Sequence, residues 1–375
     1  MNACCVPIRI LHVIGIMHRG GAETMIMNYY RHIDRTKVQF DFVENSDRFA
    51  EFDEEITALG GRIYRCPHYT GKNHFQYIAW WKAFYARHGG DYKAVHGHIG
   101  STAAIYLSLA KKVGLYTVAH SHNTCGWSLK DMVYQIYAYP TRFVADSFFG
   151  CSRDAGISRY GRRTCAKSDK FRVLNNAIEK DKFAFNSEVR EKLRSQLGIS
   201  EKIVIGHAGR FVDQKNHVFL IRIFAEIHRR NPDVVLLLLG DGEKRPEIER
   251  LVHRLGLEKA VFFEGVRENI NDYYQAMDIF VLPSLYEGLG IVAVEAQAAG
   301  LPCVISDGVS KECVVTRDLV RVCGLRDTAD HWAEQILSCV GKERTDTSDQ
   351  LKRSGYDIKE NAAWLESFYL KIGEV

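Results

Sequence analysis

The chain of 375 residues lacks most of the marks that would classify it at sight. It has only seven prolines and no low-complexity tract, which excludes an extended or disordered chain. Its ten cysteines, at 4, 5, 66, 125, 151, 165, 303, 313, 323 and 339, include no C-x-x-C pair, and several fall in apolar runs such as Leu301–Ser306. Free thiols in a reducing cytoplasm fit this usage better than disulfides or a zinc site. No charge-free run is longer than Ala94–Ala110, which carries two histidines, two serines, a threonine and two glycines, so it is not a membrane span. Arg9 and His12 interrupt the only early apolar segment, so no signal peptide is expected. Neither G-x-G-x-x-G nor G-x-x-x-x-G-K-[ST] occurs, which argues against a dinucleotide dehydrogenase and a P-loop enzyme. There is no Asp-x-Asp triplet either, so a metal-bound nucleotide sugar is not required.

What is present is globular: 46% hydrophobic and 26% charged residues, enough for two domains with separate cores. Net charge is +4 but unevenly placed. Residues 1–185 carry 25 Lys and Arg against 16 Asp and Glu, and the remainder 25 against 30. A basic first half suits an anionic partner such as nucleic acid, an anionic membrane surface or a phosphorylated acceptor.

Apolar β-branched runs alternate with helical patterns throughout. Ile8–Ile14, Gln39–Val43, Arg62–Cys66, Ala94–His98, Tyr116–His120, Phe148–Cys151 and Phe171–Asn175 read as strands of one parallel sheet. Lys202–Ala208, Val234–Leu239, Ala260–Glu264, Asp278–Leu282 and Leu301–Ser306 read as strands of a second. The expected fold class is α/β, with two facing Rossmann-like domains, ligands at the carboxyl ends of the strands, and a C-terminal helix crossing back to the first domain. The expected divisions are 1–185, 186–355 and 356–375.

The most informative stretch is Glu287-Gly288-Leu289-Gly290-Ile291-Val292-Ala293-Val294-Glu295, just after the strand ending at Leu282. Helix is expected past Gly290, stopping at Gly300-Leu301-Pro302. Glu287 is expected at the helix N-terminus and Glu295 about two turns inside. Such an N-terminus can hold phosphate, and a carboxylate beside it suits sugar hydroxyls. Two further loops follow strands and open helices: Gly15–Glu23, containing Gly20 and Gly21, and His207–Asn216, containing Gly209, Arg210 and Lys215. Arg210 and Lys215 would put two cations against a diphosphate.

Together these pieces resemble the retaining GT-B glycosyltransferases of family 4, especially bacterial exopolysaccharide and capsule enzymes, over nearly the whole length. The resemblance rests on Gly20-Gly21-Ala22-Glu23, His120-Ser121-His122-Asn123, Gly209-Arg210 with Lys215, and Leu239-Gly240-Asp241-Gly242. It rests also on Asp278 with Leu282-Pro283-Ser284, Glu287-Gly288 and Glu295, and on Gly355-Tyr356-Asp357. It implies transfer of a hexose from a nucleotide sugar, UDP by family frequency, to a lipid-linked saccharide in surface polysaccharide synthesis. No cofactor, metal or nucleic acid is implied, and the location is cytoplasmic or peripheral at the inner membrane face. By the same resemblance, Glu287 contacts the transferred sugar and Glu295 the ribose. Arg210 and Lys215 neutralise the departing diphosphate, and His120 lies near the reacting sugar. The backbone of Gly288, Leu289, Gly290, Ile291 and Val292 holds phosphate or sugar, while Gly20 and Gly21 close on the diphosphate. Two departures stand out. Asn175-Asn176-Ala177-Ile178-Glu179 replaces the usual Asn-Gly-Ile-Asp, and Gly290 stands where relatives commonly carry proline or phenylalanine, which bears on donor identity.

Three readings remain open at this point: the transferase, a nucleotide-sugar 2-epimerase of the same fold, and a non-catalytic binder. The helix His74–His88 is a separate question. Tyr77, Trp81, Phe84, Tyr85 and His88 share one face, expected to meet the core; the alternative is a membrane-interface surface with Lys72, Lys82 and Arg87 on anionic lipid.

Overall fold

The computed structural model describes residues 6–123, 129–167 and 169–374. Cys4, Cys5 and Cys125 lie outside these; the seven described cysteines are all buried, and no disulfide joins them. The chain divides into two compact units, one of Met1–Ile178 with Gly355–Val375 and one of Glu179–Ser354. The first division comes earlier than 185 because Phe183 and Asn186 are tied to Gln275: its side chain donates to the Phe183 carbonyl at 3.1 Å and accepts from the Asn186 amide at 3.1 Å.

In the first unit β1 (Ile8–Ile14), β2 (Val38–Glu44), β3 (Ile63–Arg65), β4 (Ala94–Gly97), β5 (Tyr116–Ser121), β6 (Ser147–Gly150) and β7 (Phe171–Val173) form one sheet. Its order is β3-β2-β1-β4-β5-β6-β7, and every pairing is parallel. In the second unit β8 (Ile203–Ala208), β9 (Val234–Leu239), β10 (Val261–Gly265), β11 (Ile279–Leu282), β12 (Cys303–Ser306) and β13 (Val320–Cys323) pair in the order β10-β9-β8-β11-β12-β13, again parallel. Parallel sheets are covered on both faces, which explains the unbroken Val-Val-Leu-Leu-Leu-Leu of β9, buried at every residue. β13 is absent from the sequence-based expectation: it is a four-residue edge strand, Val-Arg-Val-Cys, buried only at Cys323. In each sheet the chain order reverses once, between β1 and β4 and between β8 and β11. In open α/β sheets ligands bind beside such reversals, at the carboxyl ends of the strands.

Each unit has its own core. In the second, helix His217–Arg230 presses Leu220, Ile221, Phe224 and Ile227 onto the sheet, each at most 1% exposed. Side chains of this size stabilise by roughly 1.5–3 kcal/mol each when fully buried. In the first, helix Ile358–Gly373 packs against helix Gly21–His32 through Ala362, Leu365 and Tyr369, so the C-terminal helix belongs to the first unit. The aromatic helix His74–His88 is a core element: Tyr77, Trp81, Phe84 and Tyr85 are buried, and Trp80 stacks on Phe84 at 5.2 Å. Only Phe75 of its aromatics stands wholly outside that cluster, at 87% exposed.

Candidate active site

Three loops of the second unit converge at the β8/β11 reversal. After β8 the chain runs through Gly209-Arg210 to a short turn, Asp213–Lys215, and enters helix His217–Arg230 through Asn216 at φ +57°. After β11 it runs from Pro283 to Gly290 before helix Ile291–Ala298 begins. Backbone bonds stitch them together: Leu285 N–H donates to Gln214 O at 2.8 Å, and Glu287 N–H donates to Gly308 O, after β12, at 3.1 Å. Asn216 Nδ2 donates to Pro283 O at 3.1 Å. Gly240, at φ +123°, allows the β9 loop to lie on the first of these loops, since a Cβ there would come within 2.2 Å of Gly209 O. The glycine is therefore a packing requirement of the site.

Glu287 is the centre of this convergence. It is 8% exposed, and its Oε1 accepts from Lys215 Nζ at 2.5 Å and from Ser284 Oγ at 2.7 Å. Gln214 Nε2 donates to Oε2 at 3.3 Å. A buried carboxylate is tolerated only when paired and hydrogen-bonded, and here both conditions are met. Gly209 makes room for the lysine stem, because a Cβ would sit 3.1 Å from Lys215 Cδ.

The expected placement of the two glutamates is corrected on one point. Glu287 lies in the loop, four residues before the helix starts, and Glu295 lies one turn inside it rather than two. The two glutamates therefore do not share a helix. The helix starts just past Gly290, as expected, with Gly290 capping it in the left-handed region at φ +82°, so only the distances of the two glutamates from that start differ. No side chain caps this helix; Ala293 N–H donates to Gly290 O at 2.9 Å, and the first turn carries the positive end of the helix dipole. Gly288 and Leu289 complete the loop and Ile291 and Val292 form the first turn.

Glu295 accepts from Tyr274 OH at 2.8 Å. Burial pushes its carboxyl up to about 7, with the Tyr274 bond and the Lys215 charge acting weakly in the opposite direction. Arg210 is exposed and makes no ion pair among the described residues. Lys215, Glu287, Gly209 and the 288–292 backbone are thus brought together, Glu295 lies a turn further along the helix, and Arg210 extends to solvent. Gly20, Gly21 and His120 belong to the other unit. Gly20 caps helix Gly21–His32 in extended conformation, and a side chain at Gly21 would meet open space. His120, at the end of β5, is 3% exposed, with Nδ1 3.2 Å from His96 Nε2. Sequence reasoning named Ser284 only within the Leu282-Pro283-Ser284 motif and did not single out Gln214 or Tyr274; the three hold the two glutamates. Ordinary polar residues carry no local mark of such a role.

Residues 189–357, which contain every candidate of the second unit, match the family described as glycosyl transferases group 1. A Bacillus subtilis (strain 168) protein, EpsF, carrying a glycosyltransferase name, is 34% identical over 371 residues, 96% of each chain. The chain belongs to the group 1 glycosyltransferases. A second relative of this glycosyltransferase is the GDP-mannose-dependent alpha-(1-6)-phosphatidylinositol monomannoside mannosyltransferase of Mycolicibacterium smegmatis (strain ATCC 700084 / mc(2)155). It is 26% identical over 304 residues, 76% of each chain. Among solved structures, Anabaena Alr3699/HepE in complex with UDP-glucose is similar at a TM-score of 0.73, with 19% identity and 98% of each chain covered. The fold of this glycosyltransferase is GT-B.

Proposed function

We propose that this glycosyltransferase is a retaining enzyme of family 4 type that moves a hexose from a UDP-sugar to a lipid-linked saccharide in surface polysaccharide synthesis. The observation that carries the reading is the buried Lys215–Glu287 pair, set at the β8/β11 reversal beside the uncapped N-terminus of helix Ile291–Ala298. The family membership and the UDP-glucose complex of the Anabaena protein support it.

In this reading the bond between anomeric carbon and diphosphate breaks with negative charge growing on the leaving group. Preorganised positive charge is then the main lever. The amides of Gly288 to Val292 and the helix dipole hold a phosphate, and Lys215 and Arg210 neutralise the developing charge. Glu287, fixed on three sides, presents its carboxylate to sugar hydroxyls, and Glu295, fixed by Tyr274, takes the ribose. Gly20 and Gly21 are assigned to the diphosphate and His120 to the reacting sugar. A double displacement needs two carboxyls about 5 Å apart acting as nucleophile and acid. Glu287 is committed to Lys215, and Glu295 to Tyr274, so a front-face route suits these residues better.

No helix among the described residues is long and apolar enough to cross a membrane. For a lipid-linked acceptor we assign instead the surface made by helix Leu129–Ala138 and the turn Tyr139–Phe143. There Met132, Val133, Ile136, Tyr137, Tyr139 and Phe143 stand 47–75% exposed, and Arg142 lies over the Tyr139 ring at 4.7 Å. The acceptor named for the mycobacterial relative is itself a lipid.

The test is ligand-observed NMR of the purified protein with UDP-glucose, UDP-galactose, UDP-GlcNAc, GDP-mannose and NADH together. Saturation transfer to a UDP-sugar is expected. Transfer to GDP-mannose alone would replace the donor by the class named for the mycobacterial relative, and NADH alone would end the reading. Epimerisation of UDP-GlcNAc without an acceptor would show directly in the product spectrum; neither the family match nor the relatives favour it.

A further inference from the structure

The first unit holds five histidines in contact, of which only His120 enters the proposed transfer. His12 lies on β1, His96 on β4 and His120 on β5; His98 and His122 follow the last residues of β4 and β5. Strand alternation places residues two apart on one face, and His12 pairs in register with His96, so all five imidazoles gather beside the β1/β4 reversal. Two files of rings result. His12 Nδ1 lies 3.0 Å from His98 Nε2, and His98 Nδ1 lies 2.8 Å from His122 Nε2. In the second file Tyr369 OH lies 2.6 Å from His96 Nδ1, and His96 Nε2 lies 3.2 Å from His120 Nδ1.

We propose that His98, His120 and His122 bind a divalent late first-row transition-metal ion of the zinc class. Each offers a ring nitrogen, and the three nitrogens lie within 4.8 Å of one another. A second observation points to the same place. His120 is 97% buried, yet its Nε2 has no partner, and His122 Nδ1 also lacks one. A buried ring nitrogen without a partner is costly, and an ion supplies what is missing.

The inner histidines give the arrangement the form of a built site. A metal-bound imidazole characteristically spends its other nitrogen on a fixed partner that sets tautomer and ring angle. His98 has His12 in that role, and His120 has His96, which Tyr369 holds in turn. With His98 Nε2–H given to His12 and His120 Nδ1–H to His96, His120 Nε2 is left open and His98 Nδ1 would exchange its 2.8 Å contact with His122 Nε2 for the ion. One group opposes the ion, the Arg159 guanidinium, whose charge acts on His122. An all-imidazole set without carboxylate or thiolate suits zinc, copper or nickel and not magnesium or calcium. Three protein ligands leave a fourth position for water or a hydroxyl. The site stands on the first unit alone and does not rest on the transferase reading. It departs from the sequence-based expectation of no metal.

The experiment uses the tag-free full chain, stripped with chelator and titrated with Co²⁺ and then Zn²⁺, without any nucleotide sugar. Expected are the visible bands of four-coordinate cobalt, their loss on zinc addition, and one zinc per chain by elemental analysis after gel filtration. His98→Ala and His122→Ala should abolish the bands. His96→Gln should keep them while weakening affinity roughly 10–100-fold, as positioning partners do. Circular dichroism and the unfolding midpoint report whether each variant is folded; should His98→Ala fail, His122→Asn carries the reading. Absence of bands and of retained zinc would overturn the proposal, leaving a file of hydrogen-bonded neutral imidazoles. So would cobalt bands that persist in folded His122→Ala or His122→Asn.

Discussion

Replacing Lys215 by alanine removes the cation from a pair whose side chains are only 15% and 9% exposed. Breaking a buried pair by deleting one partner costs about 3–5 kcal/mol, because the other charge is left without compensation. Glu287 keeps two bonds, from Ser284 Oγ at 2.7 Å and Gln214 Nε2 at 3.3 Å, so the lower end applies, about 3 kcal/mol. For a unit the size of Glu179–Ser354 each kcal/mol moves the midpoint by about 2–4 °C, giving a fall of about 6–12 °C. Scanning calorimetry of the full chain, with Lys215→Ala, Glu287→Gln and Lys215→Met/Glu287→Gln compared, separates the terms. The double variant should recover to within about 1 kcal/mol of the parent, since it buries no unpaired charge. Its transfer activity should not recover, because the cation proposed to meet the leaving diphosphate is gone; a loss of roughly 10²–10³ is expected by analogy with oxyanion donors. A Lys215→Ala midpoint unchanged from the parent would refute the argument, as would a double variant no more stable than that single one.

Three further outcomes follow from the same geometry. The Glu295 carboxyl, raised by burial from 4.5 to about 7, holds a proton in the folded state that the unfolded chain releases earlier. Its contribution to stability is complete below pH 4.5 and lost as pH rises through about 7, so Glu295→Gln should flatten that part of the stability profile in urea unfolding. An equal slope in both proteins would show that Glu295 titrates normally. Gly290→Ala should cost about 1–2 kcal/mol for a side chain at φ +82°, beside a 2.9 Å approach to Val309 Cγ1, and Gly290→Pro more, since proline cannot adopt positive φ. A proline variant of undiminished melting temperature would contradict the loop conformation. Ile136→Glu with Phe143→Glu should reduce co-sedimentation with anionic vesicles and leave the thermal midpoint unchanged, both side chains being at least 70% exposed; undiminished binding would move the membrane surface elsewhere.

Much of this was legible along the chain, because it depends on residues close in sequence. Runs such as Ile8–Ile14 and Val234–Leu239 match their strands to the residue, since a strand buried on both faces needs continuous apolar side chains. The glycine–glutamate stretch after β11 and the basic loop after β8 were legible as strand-end loops that open helices, the loops that carry function in this architecture. Strand β13 was not legible, being a four-residue edge in which only Cys323 is buried.

The remaining features required the tertiary structure. That Lys215 reaches Glu287 depends on β8 and β11 being neighbours, 72 positions apart in sequence. That Glu287 sits in a loop and Glu295 one turn into a helix depends on one positive φ at Gly290, which the letter G permits but does not require. The histidines show the same division most clearly. His96-x-His98 and His120-x-His122 each announce one face of a strand, but only the parallel pairing of β4 with β5, and of β1 with β4, brings five imidazoles into one place. Sequence fixes which side chains share a face through the two-residue period of the strand. Which faces meet is set by strand order, a long-range property decided by how the whole sheet buries its apolar surface.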